Sequence, residues 1–313
     1  MRKKILYLGP KEILISIQTL FNKNENLFIV EANESNINIE IIEAYGIIDA
    51  SMKVLFDEEL ILKAKNLKII SCATTGSDHI SRSICKRKEI EIRTLREDSD
   101  LLLNLTPAAE LSWTLLLACA RNLKGAVNHV LNGNWIREEF PGVMLNGKTI
   151  GIIGCGRIGN WMSKYAKAFG MEVLGYDPYI DNFPQSIIKV DIEELFKKSD
   201  FITIHVHLSS ETEGLVNKSL LEMAKPNAII INTSRGKIIN EQALLDALNN
   251  KKIAAVGLDV LEDEPDIKKS RLYQYAQQND NLIITPHCGG YSIQAVEKVC
   301  LRAAEKIINK EIE

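Results

Sequence analysis

Residues 149–159 read Thr149-Ile150-Gly151-Ile152-Ile153-Gly154-Cys155-Gly156-Arg157-Ile158-Gly159, a short β-branched run that breaks into G-x-G-x-x-G. Asp177 stands 18 residues past the last glycine, after the apolar run Glu172-Val173-Leu174-Gly175-Tyr176. A pyrophosphate group makes three demands on a backbone: a tight strand-to-helix turn, a point of close approach, and a helix packed hard against its strand. One glycine answers each, and the free amides at the helix start face the anion. Ile158, Met162, Tyr165 and Phe169 recur at steps of 4, 3 and 4, the stripe of a helix lying on a sheet, and Gly170 stands where a C-terminal cap belongs. Asp177 then falls where a carboxylate accepts ribose hydroxyls and repels a 2′-phosphate, so NAD is expected over NADP. Taken alone, Asp177 also reads as a turn aspartate before Pro178.

Outward from this motif, 313 residues exceed one ordinary core and fit two domains with a cleft between them. A hydrophobic share of 46%, a charged share of 25% and a net charge of -3 describe a globular chain with no electrostatic pull toward nucleic acid or an anionic membrane. Arg2-Lys3-Lys4 precedes only Ile5 to Leu8 before Gly9-Pro10, far short of a signal peptide, and the longest apolar stretch, Trp113 to Ala120, is too short to span a bilayer. Six cysteines lie far apart without C-x-x-C, so neither zinc nor a disulfide framework is expected, and a reduced cytoplasmic setting follows.

The first 98 residues alternate strands (5–8, 27–30, 46–49, 67–71, 90–93) with helical patterns such as 57–64. A pattern over 104–123 reads as one helix linking two halves. Beyond 149, β-branched runs at 201–206, 228–232, 253–258 and 282–285 have the character of strands buried on both faces of a parallel sheet, with helices at 191–198, 218–224 and 241–249 between them. The last helix, 292–309, has no following strand to serve and is expected to pack back on the first domain.

Three residues follow the C-terminal ends of successive predicted strands, the edge where open α/β sheets bind ligands. Arg235, in Asn232-Thr233-Ser234-Arg235-Gly236, offers a planar fork of donors suited to a carboxylate and its neighbouring carbonyl, although a surface ion pair is its plainer use. His287, in Thr285-Pro286-His287-Cys288-Gly289-Gly290, can move a proton near neutral pH. Glu264, before Pro265, supplies the carboxylate that fixes an imidazole tautomer and stabilises its charged form. His205 and His207 lie two apart with no acidic or thiol partner nearby, so a metal is not expected there.

These pieces, in this order and together with Gly257-Leu258-Asp259-Val260, resemble the D-isomer-specific 2-hydroxyacid dehydrogenase family over essentially the whole chain. The resemblance implies an α/β protein of two doubly wound parallel-sheet domains, with a Rossmann NAD-binding domain (99–287) inserted into a flavodoxin-like substrate domain (1–98 and 288–313), usually in a homodimer. It implies that Arg235 binds and polarises a 2-oxoacid, that Glu264 supports the imidazole, and that His287 is the general acid in reduction and the base in oxidation. Main-chain amides of Thr74-Thr75-Gly76 would hold the substrate carboxylate. Gly154, Gly156 and Gly159, with backbone donors from Arg157 and Ile158, would take the pyrophosphate and Asp177 the ribose. Val206 would be a further cofactor contact, with Thr233, Ser234 and Asp259 along the nicotinamide.

The expected activity is NAD-dependent interconversion of a 2-oxoacid and a (D)-2-hydroxyacid. The alternatives are a non-catalytic NAD-sensing scaffold, or oxidation of a small oxyanion such as formate or phosphite. Ser51 and Cys72 stand where phosphoglycerate-acting members often carry arginines, which speaks against a phosphorylated substrate, although Lys53 adds charge nearby. His207 replaces a common proline. Cys155 and Cys288 flank the functional loops, so each is either a site of inhibitory oxidation or a small packing residue.

Overall fold

A computed structural model of the chain describes all residues except 1, 23, 25, 52 and 313. Its first unit runs to Leu105 and resumes at Tyr291; its second is Thr106–Gly290. In the first, β1 (Lys3–Leu8), α1 (Lys11–Phe21), β2 (Leu27–Glu31), α2 (Ile37–Glu40), β3 (Ala44–Asp49), α3 (Glu58–Lys63), β4 (Ile69–Cys72), α4 (Arg82–Arg87), β5 (Glu91–Arg93) and α5 (Ser99–Leu103) follow in turn. The strands form one parallel sheet in the order β2-β1-β3-β4-β5, the flavodoxin-like order. Side chains alternate between two cores: Leu6, Ile47 and Ile70 face Ile61 and Ile84, while Ile5, Ile48 and Ile69 face Ile17 of α1.

The second unit holds α6 (Pro107–Ala120), α7 (Leu123–Leu131), β6 (Thr149–Ile153), α8 (Arg157–Ala168), β7 (Glu172–Tyr176), β8 (Ile188–Lys189), α9 (Ile192–Lys198), β9 (Phe201–Ile204), α10 (Lys218–Met223), β10 (Ile229–Asn232), α11 (Glu241–Asn249), β11 (Ala255–Leu258), α12 (Arg271–Gln278) and β12 (Leu282–Ile284). Its strands are parallel in the order β12-β11-β10-β9-β6-β7-β8, and the order reverses at β6/β9, the switch point where such sheets bind ligands. β9, β10 and β11 are buried at every position, as their continuous apolar runs require. Side-chain caps from Asp191 and Asn240 start α9 and α11 where the sequence predicts.

α13 (Ile293–Ile312) returns to the first unit, laying Val296, Cys300, Ala303, Ala304 and Ile307 into the core beside β3, β4 and α1. Ser71 Oγ donates to Ala303 O at 2.8 Å, and Asp98 takes Arg302 Nε at 2.6 Å and pairs with Lys306.

Three expectations need correction. The single helix over 104–123 is in fact α6, flanked by α5 and α7. The chain turns at Asn122, which sits in the left-handed region at φ 47° and is one of the few residue types to tolerate it. Residues 99–120 are long and apolar enough to cross a bilayer by length and composition alone, a test that a buried core helix also passes. α6 instead buries Trp113, Leu115, Leu116 and Cys119 in the core beside β10 and β11. On α8 the face against the sheet is Gly159, Met162, Ser163 and Ala166. Of the expected stripe only Met162 is fully buried, and Tyr165 and Phe169 meet the ring of Trp113. The unit boundaries fall at 105/106 and 290/291 rather than 98/99 and 287/288, because Leu102 and Leu105 of the first crossing pack with Leu95 and Ala295.

Candidate active site

The three glycines after β6 each do a different job. Gly154 lies at φ 88°, and a Cβ there would strike His205 O at 2.7 Å. Gly159 sits so close to the Gly154 carbonyl that no side chain fits, which sets α8 against β6. A Cβ on Gly156, by contrast, would meet nothing within 4 Å, leaving open space beside the first amides of α8. A pyrophosphate fits that space and those donors. Cys155 N donates to Asp177 Oδ2 at 2.9 Å and Tyr179 N to Asp177 Oδ1 at 3.0 Å, so the half-buried carboxylate is anchored to the glycine loop from the end of β7. Val206 lies past the end of β9, which stops at Ile204, and approaches Gly154.

Beyond β10, Asn232 shapes the turn that carries Arg235. Its Oδ1 accepts from Ser234 N at 3.0 Å and Ser234 Oγ at 2.7 Å, and its Nδ2 donates to Arg235 O at 2.9 Å. The organising role of this buried amide is not apparent in the sequence. Thr233 Oγ1 lies 2.6 Å from Ser112 Oγ of α6, and Arg235 Nη1 donates to Ser234 O at 2.8 Å. Gly236 is pressed against the Leu261 backbone, where a Cβ has no room, so the Arg235 turn and the turn leading to Glu264 are neighbours.

Glu264 Oε1 lies 2.7 Å from His287 Nδ1, while Oε2 accepts from Leu261 N at 3.3 Å. Both side chains are about one-third exposed in this chain. The arrangement assigns the Nδ1 proton to the bond with Glu264 and leaves Nε2 for proton exchange with a ligand. His287 is held at φ 52°, an uncommon conformation for a non-glycine residue, by hydrogen bonds from its amide to Asp259 O and Thr285 O at 2.9 and 3.0 Å.

Asp259 explains how that conformation persists. Its carboxylate is wholly buried: Oδ1 accepts from Thr285 Oγ1 at 2.5 Å and Cys288 N at 2.9 Å, and Oδ2 from Gly289 N at 2.7 Å. The side chain is therefore engaged with the histidine loop through Thr285, Cys288 and Gly289. Burial and the same carboxylate push the Cys288 thiol up, and burial pushes Cys155 up to about 12. His205 is half-buried, with Nε2 2.7 Å from Thr203 Oγ1, and desolvation pushes it down to about 3. His207 is exposed.

In the first unit, Thr74, Thr75 and Gly76 form the loop after β4, where Thr74 Oγ1 donates to Gly76 O at 2.7 Å and Leu95 N to Thr74 O at 2.9 Å. Cys72, at the end of β4, is fully buried.

Residues 113–289 match the family model for the D-isomer specific 2-hydroxyacid dehydrogenase NAD binding domain, and residues 13–97 match that for its catalytic domain. Hydroxypyruvate reductase of Thermotoga maritima is 35% identical over 293 residues, 94% of either chain. D-3-phosphoglycerate dehydrogenase of Methanocaldococcus jannaschii is 40% identical over 253 residues, 80% of this chain, which spans only 46% of that longer relative. Among solved structures, D-lactate dehydrogenase from Aquifex aeolicus, complexed with NAD and lactic acid, aligns with a TM-score of 0.83 at 28% identity, covering 97% of this chain and 94% of that one. With both domain models matched in order over the glycine loop and the Arg235, Glu264 and His287 turns, the chain belongs to the D-isomer-specific 2-hydroxyacid dehydrogenase family and carries its NAD-binding domain.

Proposed function

We propose that this chain interconverts a 2-oxoacid and a (D)-2-hydroxyacid with NAD, and that Arg235, Glu264 and His287 carry the reaction. The observation that carries the reading is the 2.7 Å contact between Glu264 and His287, on a turn packed beside the one that bears Arg235. In the direction of reduction, the carbonyl carbon gains a hydride while its oxygen gains a proton. NADH, when bound, supplies the hydride. His287 Nε2 gives the proton, and Glu264 stabilises the imidazolium that precedes transfer and keeps Nδ1 protonated afterwards. Arg235 pairs with the substrate carboxylate and polarises the carbonyl. The amides of Thr75 and Gly76 would add donors to the carboxylate. The backbone amides of Arg157 and Ile158 would take the pyrophosphate, Asp177 the ribose hydroxyls, and Val206, Thr233 and Ser234 would line the cofactor.

The test is incubation with NADH and a panel of glyoxylate, hydroxypyruvate, pyruvate and branched 2-oxoacids, following loss of NADH absorbance. Turnover on at least one oxoacid is expected. NADH binding without turnover on any of them would favour a scaffold role instead.

A homodimer is part of the same proposal. Leu123, Val127, Val130 and Leu131 share one outward face of α7, and Leu131 and Trp135, just beyond, are 78% and 88% exposed. A contiguous apolar surface of this kind on a chain of net charge -3 fits a second copy of itself better than an oppositely charged partner. A cytoplasmic setting is supported by six unpaired cysteines, five of them buried. The proposal includes neither a nucleic-acid nor a membrane partner.

A further inference from the structure

We propose that Asp49, Cys72 and His79 form a binding site for one thiophilic divalent cation of the zinc class, at the C-terminal ends of β3 and β4. The three are scattered in sequence, and the fold collects them. Asp49 and Cys72 are register partners across the parallel β3–β4 ladder, so their side chains leave the sheet on the same face. His79 arrives on the loop after β4, pinned where Phe56 N donates to His79 O at 2.8 Å, and its Nε2 lies 2.6 Å from Asp49 Oδ2. One ligand atom from each residue lies within 4.8 Å of the others.

The donor set selects the ion. Sulfur, imidazole nitrogen and one carboxylate suit zinc, whereas magnesium and calcium take oxygen ligands. Tetrahedral zinc, with bonds of about 2.3 Å to sulfur and 2.0–2.1 Å to nitrogen or oxygen, sets neighbouring donors roughly 3.3–3.6 Å apart. The present spacing brackets that range, so closure takes a shift on the order of 1 Å, within the reach of side-chain rotation.

Charge points the same way. Asp49 and Cys72 are both at 0% exposure, and a carboxylate with a thiolate would carry two negative charges into a place without water. A divalent cation cancels both. As the sulfur–metal bond forms beside the Asp49 carboxylate, the proton now on Cys72 leaves to solvent. Arg82, whose charge also acts on Cys72, is held on Ser77 Oγ at 2.9 Å. Ser51 N and Oγ both donate to Asp49 Oδ1 at 3.1 Å, orienting the carboxylate as an outer-shell partner does.

His79 gives the independent sign. Its side chain is 10% exposed, and Nδ1 is buried without a hydrogen-bond partner among the described residues. While Nε2 is bonded to Asp49, no protonation state of the ring satisfies both nitrogens. A cation on Nδ1 would supply the missing partner, with Cys72 as the other protein ligand and Asp49 acting through Nε2–H rather than as a ligand, the carboxylate–histidine–metal arrangement. If Nε2 is the ligand instead, Asp49 joins the cation directly.

The experiment is titration of the reduced full chain with Co²⁺, read by the near-ultraviolet sulfur-to-cobalt charge-transfer band, followed by displacement with Zn²⁺. One cobalt per chain, bleached by zinc, is expected, with Cys72→Ser and His79→Gln each weakening binding by more than about 100-fold. Cys288→Ser, which removes the half-buried thiol beside His287, should leave the band in place. A wild-type chain that shows no such band overturns the proposal whether or not the variants fold. So does a band lost in Cys288→Ser and kept in Cys72→Ser. In either case the Asp49–His79 contact is a metal-free tie between β3 and the loop after β4.

Discussion

Replacing Asp259 with Asn should loosen the histidine loop before it touches any ligand chemistry. The carboxylate takes three hydrogen bonds from oxygen and nitrogen donors, at 2.5, 2.9 and 2.7 Å from Thr285, Cys288 and Gly289, and a longer one from the Cys288 thiol at 3.6 Å, with no exposed surface. An amide has one oxygen for two acceptor positions, so its NH2 must face a backbone N–H, whichever way it is flipped. One charge-assisted bond is lost and one buried donor is orphaned, together costing roughly 2–5 kcal/mol. For a domain of this size each kcal/mol is worth about 2–4 °C, so Tm should fall by about 4–20 °C. His287, no longer held at its left-handed φ, should lose positioning, and kcat should drop up to about 100-fold at temperatures where the variant is still folded. NADH KM should change little. Differential scanning fluorimetry and steady-state kinetics on the same preparation decide the matter. An unchanged Tm with a raised NADH KM would refute this account and return Asp259 to the nicotinamide.

Four further outcomes are expected. His287→Ala should lower turnover by about 10²–10⁴-fold while leaving NADH binding, read by fluorescence, nearly unchanged. Asp177→Asn retains an acceptor for Cys155 N but removes the charge that repels a 2′-phosphate, so the NADH over NADPH preference in kcat/KM should shrink by at least about 10-fold. Burial works to raise the Asp98 carboxyl, but hydrogen bonds and charge from Lys306 and Arg302 outweigh it and hold the group below its ordinary value. A depressed carboxyl contributes stability that is present above the ordinary carboxylate range and lost as pH falls toward and through its folded value. Urea midpoints should therefore decline in acid, and more shallowly in Asp98→Asn. Leu131→Asp should convert a dimer into a monomer by sedimentation velocity; a wild-type chain already monomeric at micromolar concentration would remove the dimer from the proposal.

The strands buried on both faces were legible because they are short runs dominated by β-branched and aliphatic residues, and the glycine loop because Gly154 and Gly159 answer steric demands that a Cβ would violate. Glu264 and His287 could be paired from sequence, since each follows a separate strand and all such ends share one sheet edge. What stayed hidden depends on loop paths. Asn232 and Asp259 look like ordinary turn residues until the backbone brings amide donors to their side chains. α7 was illegible because its apolar positions face outward instead of toward the sheet. Asp49 and His79 stand 30 residues apart, and only strand register puts them at one place.

The return of α13 to the first sheet sets an order of events at the ribosome. Ile17, Ile48 and Ile69 share a core with Ala303 and Ile307, which are made only after every residue of the inserted unit. At about 5–20 residues per second, translating that insert takes roughly 10–40 s, during which one side of the nascent sheet stays uncovered. The later-made half of the protein can thus finish folding first, and the earlier half needs a chaperone's cover more than its place at the start of the message suggests.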